Sequence, residues 1–186
     1  MRLIVAISGA SGAIYGIKIL EELKKKNIET HLVISKWGKV IIREETQYSV
    51  EEVQALASYY YYEENMAAPI SSGSFKCEGM IISPCSMKTL SGIATGYSDE
   101  LLIRAADVSI KENRKLCLLT RETPLSSIHL ENMLTLSRIG VVIMPPVPAF
   151  YTRPNNIEDI VNQTVGRVLD QYNIEMSGLK RWEGNR

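Results

Sequence analysis

Glycines and hydroxyls that suit a phosphate crowd into one stretch near the start of the chain, Ser8-Gly9-Ala10-Ser11-Gly12-Ala13. The apolar run Leu3–Ile7 precedes it and a helical pattern follows, so it reads as strand, glycine-rich turn, helix. In that layout glycines let a ligand approach the backbone, and the free N–H groups of the helix start face an anion. The turn reads G-A-S-G-A. It is neither the full G-x-G-x-x-G nor a Walker A loop, and taken alone it also fits a tight turn that holds nothing. Ser11 adds a hydroxyl. The cations suited to a phosphate are Arg104 and Lys111, seven apart and so on one helix face, with Arg121 at a strand end and Arg167 on the last helix. Arginine grips phosphate in bidentate fashion and lysine acts as a point charge. The plain alternative for Arg104 and Lys111 is a solvated helix face, against which stand their neighbours Ala105-Ala106 and Ile110. Of the acids, Glu122 in the R-E-T-P loop reads as functional, whereas Glu45 reads by default as a surface residue.

Other reactive groups are scattered. His31 lies inside a strand and His129 sits between Ile128 and Leu130 in a helix. Both read as structural, and a Ser-His-Asp triad has no support. The aspartates number four in the sequence and none are adjacent. A hard cation needs several carboxylate oxygens, so neither a metal site nor a metal-dependent diphosphate mechanism is expected. The cysteines, Cys77, Cys85 and Cys117, are odd in number and form no C-x-x-C pair. They predict neither a disulfide framework nor a zinc site, and they fit a reducing cytoplasm. Cys85 at a strand end is either reactive or simply small and buried.

Alternating strand and helix patterns position these residues. Strands are expected at Leu3–Ile7, Glu29–Ile34, Gly79–Ser83, Lys115–Thr120 and Gly140–Met144. Amphipathic helices are expected at Gly12–Lys26, from Ser35 to about Glu45, after Ser86, from Ser98-Asp99-Glu100 to about Arg114, and at Ser126–Ile139 and Ile157–Tyr172. Ser35 and Ser86 read as N-caps, Ser49-Val50-Glu51-Glu52 as a capping pattern, and Gly96 as a helix stop. The run Tyr59–Tyr62 is either a strand or a surface loop. This alternation predicts an α/β, single-domain, three-layer Rossmann/flavodoxin-like fold with a parallel sheet. Ligands of such sheets bind beyond the carboxyl ends of the strands. Ser8–Ser11, Ser35, Pro84–Ser86, Arg121-Glu122 and Pro145–Tyr151 each follow a strand and are expected to face one crevice.

Composition narrows the class further. The 186 residues suit one domain with a sizeable core. A formal net charge of +0 supplies no global field for nucleic acid or an anionic membrane. No apolar run approaches the roughly 20 residues that span a bilayer. The given N-terminus enters the expected first strand directly, so a signal peptide is not expected.

The longer motifs are specific. GASGAIYG at the start, ISK at 34–36, SPCSMKTLSGIATG at 83–96, IRAADVSIKE at 103–112, TRETPLSSIHLENML at 120–134 and PAFYTRP at 148–154 together resemble the UbiX-type flavin prenyltransferases. These were formerly called aromatic acid decarboxylase B subunits, and they belong with the homo-oligomeric flavin-containing cysteine decarboxylases. The resemblance covers almost the whole chain. It implies an FMN-binding flavoprotein domain over 1–175 and a tail, 176–186, packing near the active site. It implies transfer of a dimethylallyl group from dimethylallyl monophosphate to N5 and C6 of reduced FMN without a metal, in a cytoplasmic dodecamer. The prenylated FMN would then serve a UbiD-type decarboxylase.

The resemblance also assigns residues. Gly9, Ala10 and Ser11 match an FMN-binding turn, and Ser35, Ser86, Met87, Lys88, Thr89 and Arg121 match further FMN contacts. Tyr151 and Arg167 match the holders of the prenyl phosphate. Lys111, Glu122 and Arg104 match polar residues around that phosphate, partly from a neighbouring subunit. Glu45 and Ser11 match a pair implicated in phosphate handling and proton transfer, and Trp182 matches an aromatic near the substrate. Some members carry an aromatic where this chain has Met66-Ala67, which bears on one pocket wall and not on the reaction class. The competing readings are an FMN-dependent cysteine-type decarboxylase, whose histidine in the first helix region is missing from Ser11–Ile17, and a non-catalytic FMN-binding subunit.

Overall fold

The computed structural model describes residues 1–182 and 184. In chain order the elements are β1 (Arg2–Ile7), α1 (Ala13–Lys25), β2 (Glu29–Ile34), α2 (Lys36–Glu45), α3 (Val50–Gln54), β3 (Tyr59–Tyr61), β4 (Gly79–Cys85), α4 (Met87–Thr95), α5 (Leu101–Lys111), β5 (Lys115–Thr120), α6 (Ser127–Arg138), β6 (Val142–Ile143) and α7 (Ile157–Asp170). Short 3₁₀ turns lie at Pro69–Ser71 and Phe150–Thr152. The strands form one sheet in the order β3-β2-β1-β4-β5-β6, and every pairing is parallel.

Parallel strands are covered on both faces, so they carry continuous apolar runs. From Leu3 to Ile7 every β1 residue is buried, and so is all of β4. One face packs Leu3, Val5 and Ile7 against α1, α2, α3 and α7 through Ile17, Leu20, Ile42, Val53, Val165 and Leu169. The other packs Ile4, Ala6 and Ile82 against α4, α5 and α6 through Leu90, Leu102, Ala106 and Leu136. The expected three layers result.

The tyrosine run resolves into the edge strand β3, in register with β2 as His31↔Tyr59, Leu32↔Tyr60 and Val33↔Tyr61. His31 is buried. Its ring stacks on Tyr59 at 4.8 Å and on Tyr61 at 5.8 Å between centroids, and it hydrogen-bonds Tyr61 Oη and Glu29 Oε1, each at 2.9 Å. These contacts give the short edge strand its anchor. Without β3 the order matches the flavodoxin pattern, and with it the order becomes the dinucleotide-fold pattern. Both share a switch point between β1 and β4, where α1 departs to one face and α4 to the other.

Several boundaries differ from expectation. The helix expected from Ser98 begins at Leu101, capped by Glu100 without a side-chain bond. No acid lies in its first turn, because the helix starts after Asp99 and Glu100, and the Glu100 carboxylate pairs with Lys88. The helix stops at Lys111, and Asn113 takes the left-handed conformation after it. β6 is confined to Val142–Ile143, where it finds its partners Cys117 and Leu118. The N-caps at Ser35 and Ser86, the capping box at Ser49 and the left-handed Gly96 are as expected.

Candidate functional site

The carboxyl ends of β1 and β4 are stitched together at the switch point by Ser8. The Ser8 Oγ–H donates to Pro84 O at 2.9 Å and its oxygen accepts from Ser86 N at 2.8 Å, while Ser8 N donates to Pro84 O at 3.2 Å. The glycine turn and the Pro84–Ser86 loop therefore form one rigid floor. Around it three helices open in the same direction. The α2 N-terminus is capped by Ser35, whose Oγ accepts from Gly38 N at 3.0 Å. Ser86 caps α4 by accepting from Thr89 N at 3.3 Å, and its hydroxyl donates to Thr89 Oγ1 at 3.1 Å. Gly12, at φ 102°, begins α1 with no side-chain cap of its own. Its N–H donates instead to Glu45 Oε2 at 2.7 Å, from the last turn of α2. An acid that sequence alone leaves on the surface thus stands at the positive end of a helix dipole.

The glycine turn is small for two different reasons. Gly12 takes left-handed backbone. Gly9 needs room for the protein itself, since a Cβ there lies 2.3 Å from Trp37 Cβ. Trp37 is otherwise well exposed and closes the turn against the start of α2.

Arg121 and Glu122 follow β5, and Arg121 N donates to Cys85 O at 3.1 Å, which docks this loop beside the β4 end. Tyr15 faces Arg121; burial raises its phenol above the ordinary range, and the guanidinium partly offsets that. Among the expected flavin contacts, Met87 and Thr89 lie in the first turn of α4. Lys88 directs its ammonium to Glu100. Ala10 and Ser11 stand half-buried in the turn. Cys85 is fully buried, and burial pushes its thiol far above the usual range, so it fills space. Burial likewise pushes the Cys117 thiol up to about 12.

A cavity of about 580 Å³ lies beyond the carboxyl end of β6. Tyr151, Arg167 and Trp182 line it together with Met144, Gln163 and Arg181. Trp182 meets Tyr151 edge to face, with centroids 5.8 Å apart and planes at 78°. Tyr151 Oη accepts from Gln163 Nε2 at 3.2 Å. One wall is aromatic and apolar and another carries guanidinium groups, which is the chemistry of an apolar molecule with an anionic head. The residues 174–182 that bring Trp182 there run back along α7. The rest of the expected tail, residues 183, 185 and 186, lies outside the described residues.

Arg104 and Lys111 are not brought to this cavity within one chain. They sit on α5, on the opposite side of the sheet from α7. Lys111 ends the helix that leads into the start of β5, and so lies toward the sheet edge away from the crevice. Arg104 Nε donates to Ser71 O at 3.2 Å and its Nη1 to Asp107 at 2.7 Å. Lys111 Nζ donates to Glu112 at 2.6 Å. Sequence reasoning missed Ser8 as the link between loops, Trp37 as the partner of Gly9, and Arg181 as a cavity residue. Arg181 meets Asp170 eleven positions back in the chain, beyond the reach of any local spacing.

Residues fit a flavin mononucleotide at the crevice. Its phosphate suits the open helix ends and Arg121. Two buried hydroxyls at the neighbouring strand ends, Ser83 Oγ and Thr120 Oγ1, have no partner among the described residues. Among the described residues no group of three or more His, Cys, Asp or Glu side chains is placed to hold a metal ion.

A parallel sheet with an anion-binding turn at its switch point defines a mononucleotide-binding α/β protein. The family model described as Flavoprotein matches residues 1–169. The chain is 54% identical over 184 residues to a probable UbiX-like flavin prenyltransferase of Bacillus subtilis, covering 99% of this chain and 90% of that one. It is 57% identical over 183 residues to the mitochondrial flavin prenyltransferase PAD1 of Saccharomyces cerevisiae, covering 98% of this chain and 76% of that one. Two solved structures superpose at a TM-score of 0.98. One is a dodecameric FMN-dependent UbiX-like decarboxylase from Escherichia coli O157:H7, 55% identical, with 99% of this chain and 100% of that one covered. The other is AnUbiX (PadA1) in complex with FMN and dimethylallyl pyrophosphate, 52% identical, with 100% and 98% covered. The peptidyl-cysteine decarboxylase EpiD shares the fold at 17% identity and a TM-score of 0.61. The chain belongs to the Flavoprotein family, and within it to the UbiX-like flavin prenyltransferases.

Proposed function

We propose that this flavin prenyltransferase moves a dimethylallyl group from dimethylallyl monophosphate to reduced FMN, making prenylated FMN for a UbiD-type decarboxylase. The observation that carries this reading is the cavity of Tyr151, Arg167 and Trp182, at the same carboxyl end of the parallel sheet as the Ser8-stitched floor. It pairs an apolar, aromatic wall with cations. The acceptor flavin, when bound, supplies the nucleophilic N5 and C6 to which the two new bonds form. The allylic C–O bond breaks with its electron pair going to the phosphate. Arg167 would stabilise that growing charge, and Arg121 is the second candidate for it. Two protons would be lost, from N5 and C6; one would saturate the prenyl double bond as the ring closes, and the other would pass to the released phosphate, whose second pKa is near 6. Tyr151 and Trp182 exclude water from the prenyl group, and Glu45, Ser11 and Glu122 are the candidates for moving the proton and seating the phosphate.

Arg104 and Lys111 fit this scheme as contributions from a neighbouring subunit, because their own chain holds them on the far layer. A homo-oligomer, a dodecamer by likeness to the E. coli protein, also suits α6. That helix exposes Ile128, Leu130 and Leu134 and buries only Leu136. All of the cysteines are free, which fits a reducing, cytoplasmic setting, and no described helix is long and apolar enough to cross a membrane.

Ser11→Ala, Glu122→Gln and Arg167→Ala distinguish an enzyme from a flavin-binding subunit. Each is expected to bind FMN and lose most prenylated-FMN formation, followed by flavin absorbance and mass. Variants that bind FMN and still form the full amount of product would contradict the catalytic assignment.

A further inference from the structure

The cavity described above depends on a side chain that does not line it. Asp170, the last residue of α7, holds two arginines at once. Arg181 Nη1 donates to Asp170 Oδ2 and Nη2 to Oδ1, both at 2.7 Å, which is the bidentate fork geometry. Arg167 Nη1 donates to the same Oδ2 at 3.2 Å, a single and longer contact. Asp170 lies largely covered, with 18% of its side chain exposed, against 44% for Arg181 and 49% for Arg167. Its carboxyl is held below the ordinary range, first by the hydrogen bonds from Arg181.

The pair is one of several contacts that lay residues 174–182 along α7. Leu179 packs on the bare backbone of Gly166, where a Cβ would lie 2.7 Å from Leu179 Cδ1. Lys180 Nζ donates to Thr152 O at 3.3 Å. Ile174 is buried in the core. The next residue after Arg181 is Trp182, which rests edge to face on Tyr151. The Arg181–Asp170 fork is thus the last polar contact before the aromatic wall of the cavity.

We propose that Asp170 is a positioning residue of the prenyl-phosphate pocket: it clamps the tail through Arg181, so that Trp182 stays on Tyr151, and leaves Arg167 free to turn to the phosphate. The sharing of the carboxylate explains both halves. Arg181 satisfies both oxygens, so when Arg167 leaves its single contact for an incoming dianion, no unpaired carboxylate remains. An asparagine at 170 would keep the shape, lose the charge and offer only one acceptor oxygen to the fork.

The inference rests on the reading of this cavity as the prenyl-phosphate site, and its test separates the two. In the full-length protein loaded with FMN, Asp170→Asn is expected to raise KM for dimethylallyl monophosphate about tenfold, while kcat and FMN affinity change far less. Arg181→Met should do the same, and the double variant should be no worse than either single one, because both remove one interaction. Trimming by trypsin after Lys180 and Arg181, read by intact mass, needs no substrate, and it should be at least about tenfold faster in Asp170→Asn than in wild type. A wild-type KM together with wild-type trimming in Asp170→Asn overturns the clamp. Multiplying effects in the double variant overturn it as well. Faster trimming in a protein that does not turn over the prenyl phosphate at all upholds the clamp and overturns the reading of the cavity.

Discussion

Glu45 Oε2 accepts the Gly12 N–H at 2.7 Å, so the last turn of α2 caps the first turn of α1. The two helices follow β1 and β2, whose carboxyl ends lie on one side of the switch point, and this bond fixes one wall of the crevice. A negative group at that position meets the helix dipole as a phosphate would. Glu45→Gln retains an acceptor for Gly12 N and removes the charge, whereas Glu45→Ala removes both. The expected outcome is wild-type stability with much reduced turnover in the glutamine variant. In the alanine variant a loss of about 1 kcal/mol is expected as well, the usual cost of an N-cap. Denaturant melts alongside product formation measure the two effects separately.

Gly9→Ala tests whether this glycine serves the ligand or the protein. A Cβ there meets Trp37 Cβ at 2.3 Å, a distance that forces one of the two to move. Destabilisation of about 1–3 kcal/mol is expected, as for other overpacked contacts. Trp37→Gly in the same chain removes the clashing atom and should return most of the stability. Failure of that second change to help would show that the clash is not with Trp37.

Ser8→Ala breaks the stitch at the switch point. The Ser86 N–H loses its acceptor in a partly buried setting, a cost of about 1 kcal/mol. Because Ser86 starts α4, weaker FMN binding should accompany the loss, read by the quenching of flavin fluorescence on titration. Lost stability with unchanged FMN affinity would mean that the two loops hold their places independently.

His31 makes stability depend on pH in a definite direction. Burial lowers its pKa below the ordinary value of about 6.5, and Glu29 only partly offsets this, with Arg2 adding to the lowering. Tyr59 and Tyr61 cover the ring on the β3 side. As pH falls through the ordinary value the unfolded chain takes up the proton first. The His31 contribution is therefore whole above that value, declines as pH drops toward the lowered one, and is then constant. His31→Gln should flatten this part of the profile in denaturant melts at successive pH values. An unchanged slope would assign the proton to another group.

Much of this was legible in the sequence because local rules and burial agree there. The runs Leu3–Ile7 and Lys115–Thr120, the caps at Ser35, Ser49 and Ser86, and the motifs that carry the family resemblance all act over a few residues. What was not legible depends on distant partners. Nothing near Glu45 in the chain says that it caps α1, and nothing near Gly9 says that Trp37 occupies the space of its Cβ. The tyrosine run was ambiguous because His31, the residue that anchors β3, is 28 positions away from Tyr59 in sequence yet adjacent in register. Arg104 and Lys111 were identified as candidates by their spacing, but only the layers of the fold show that their own chain keeps them away from Arg167.

The joining of a dimethylallyl group to reduced FMN by this chain is open to direct observation. The folded protein is incubated with reduced FMN and dimethylallyl monophosphate without oxygen, and the released flavin is analysed by mass. A flavin heavier than FMN by one five-carbon prenyl unit is expected, diminished in Arg167→Ala. Recovery of unmodified FMN alone from protein shown to be folded and flavin-loaded would contradict it.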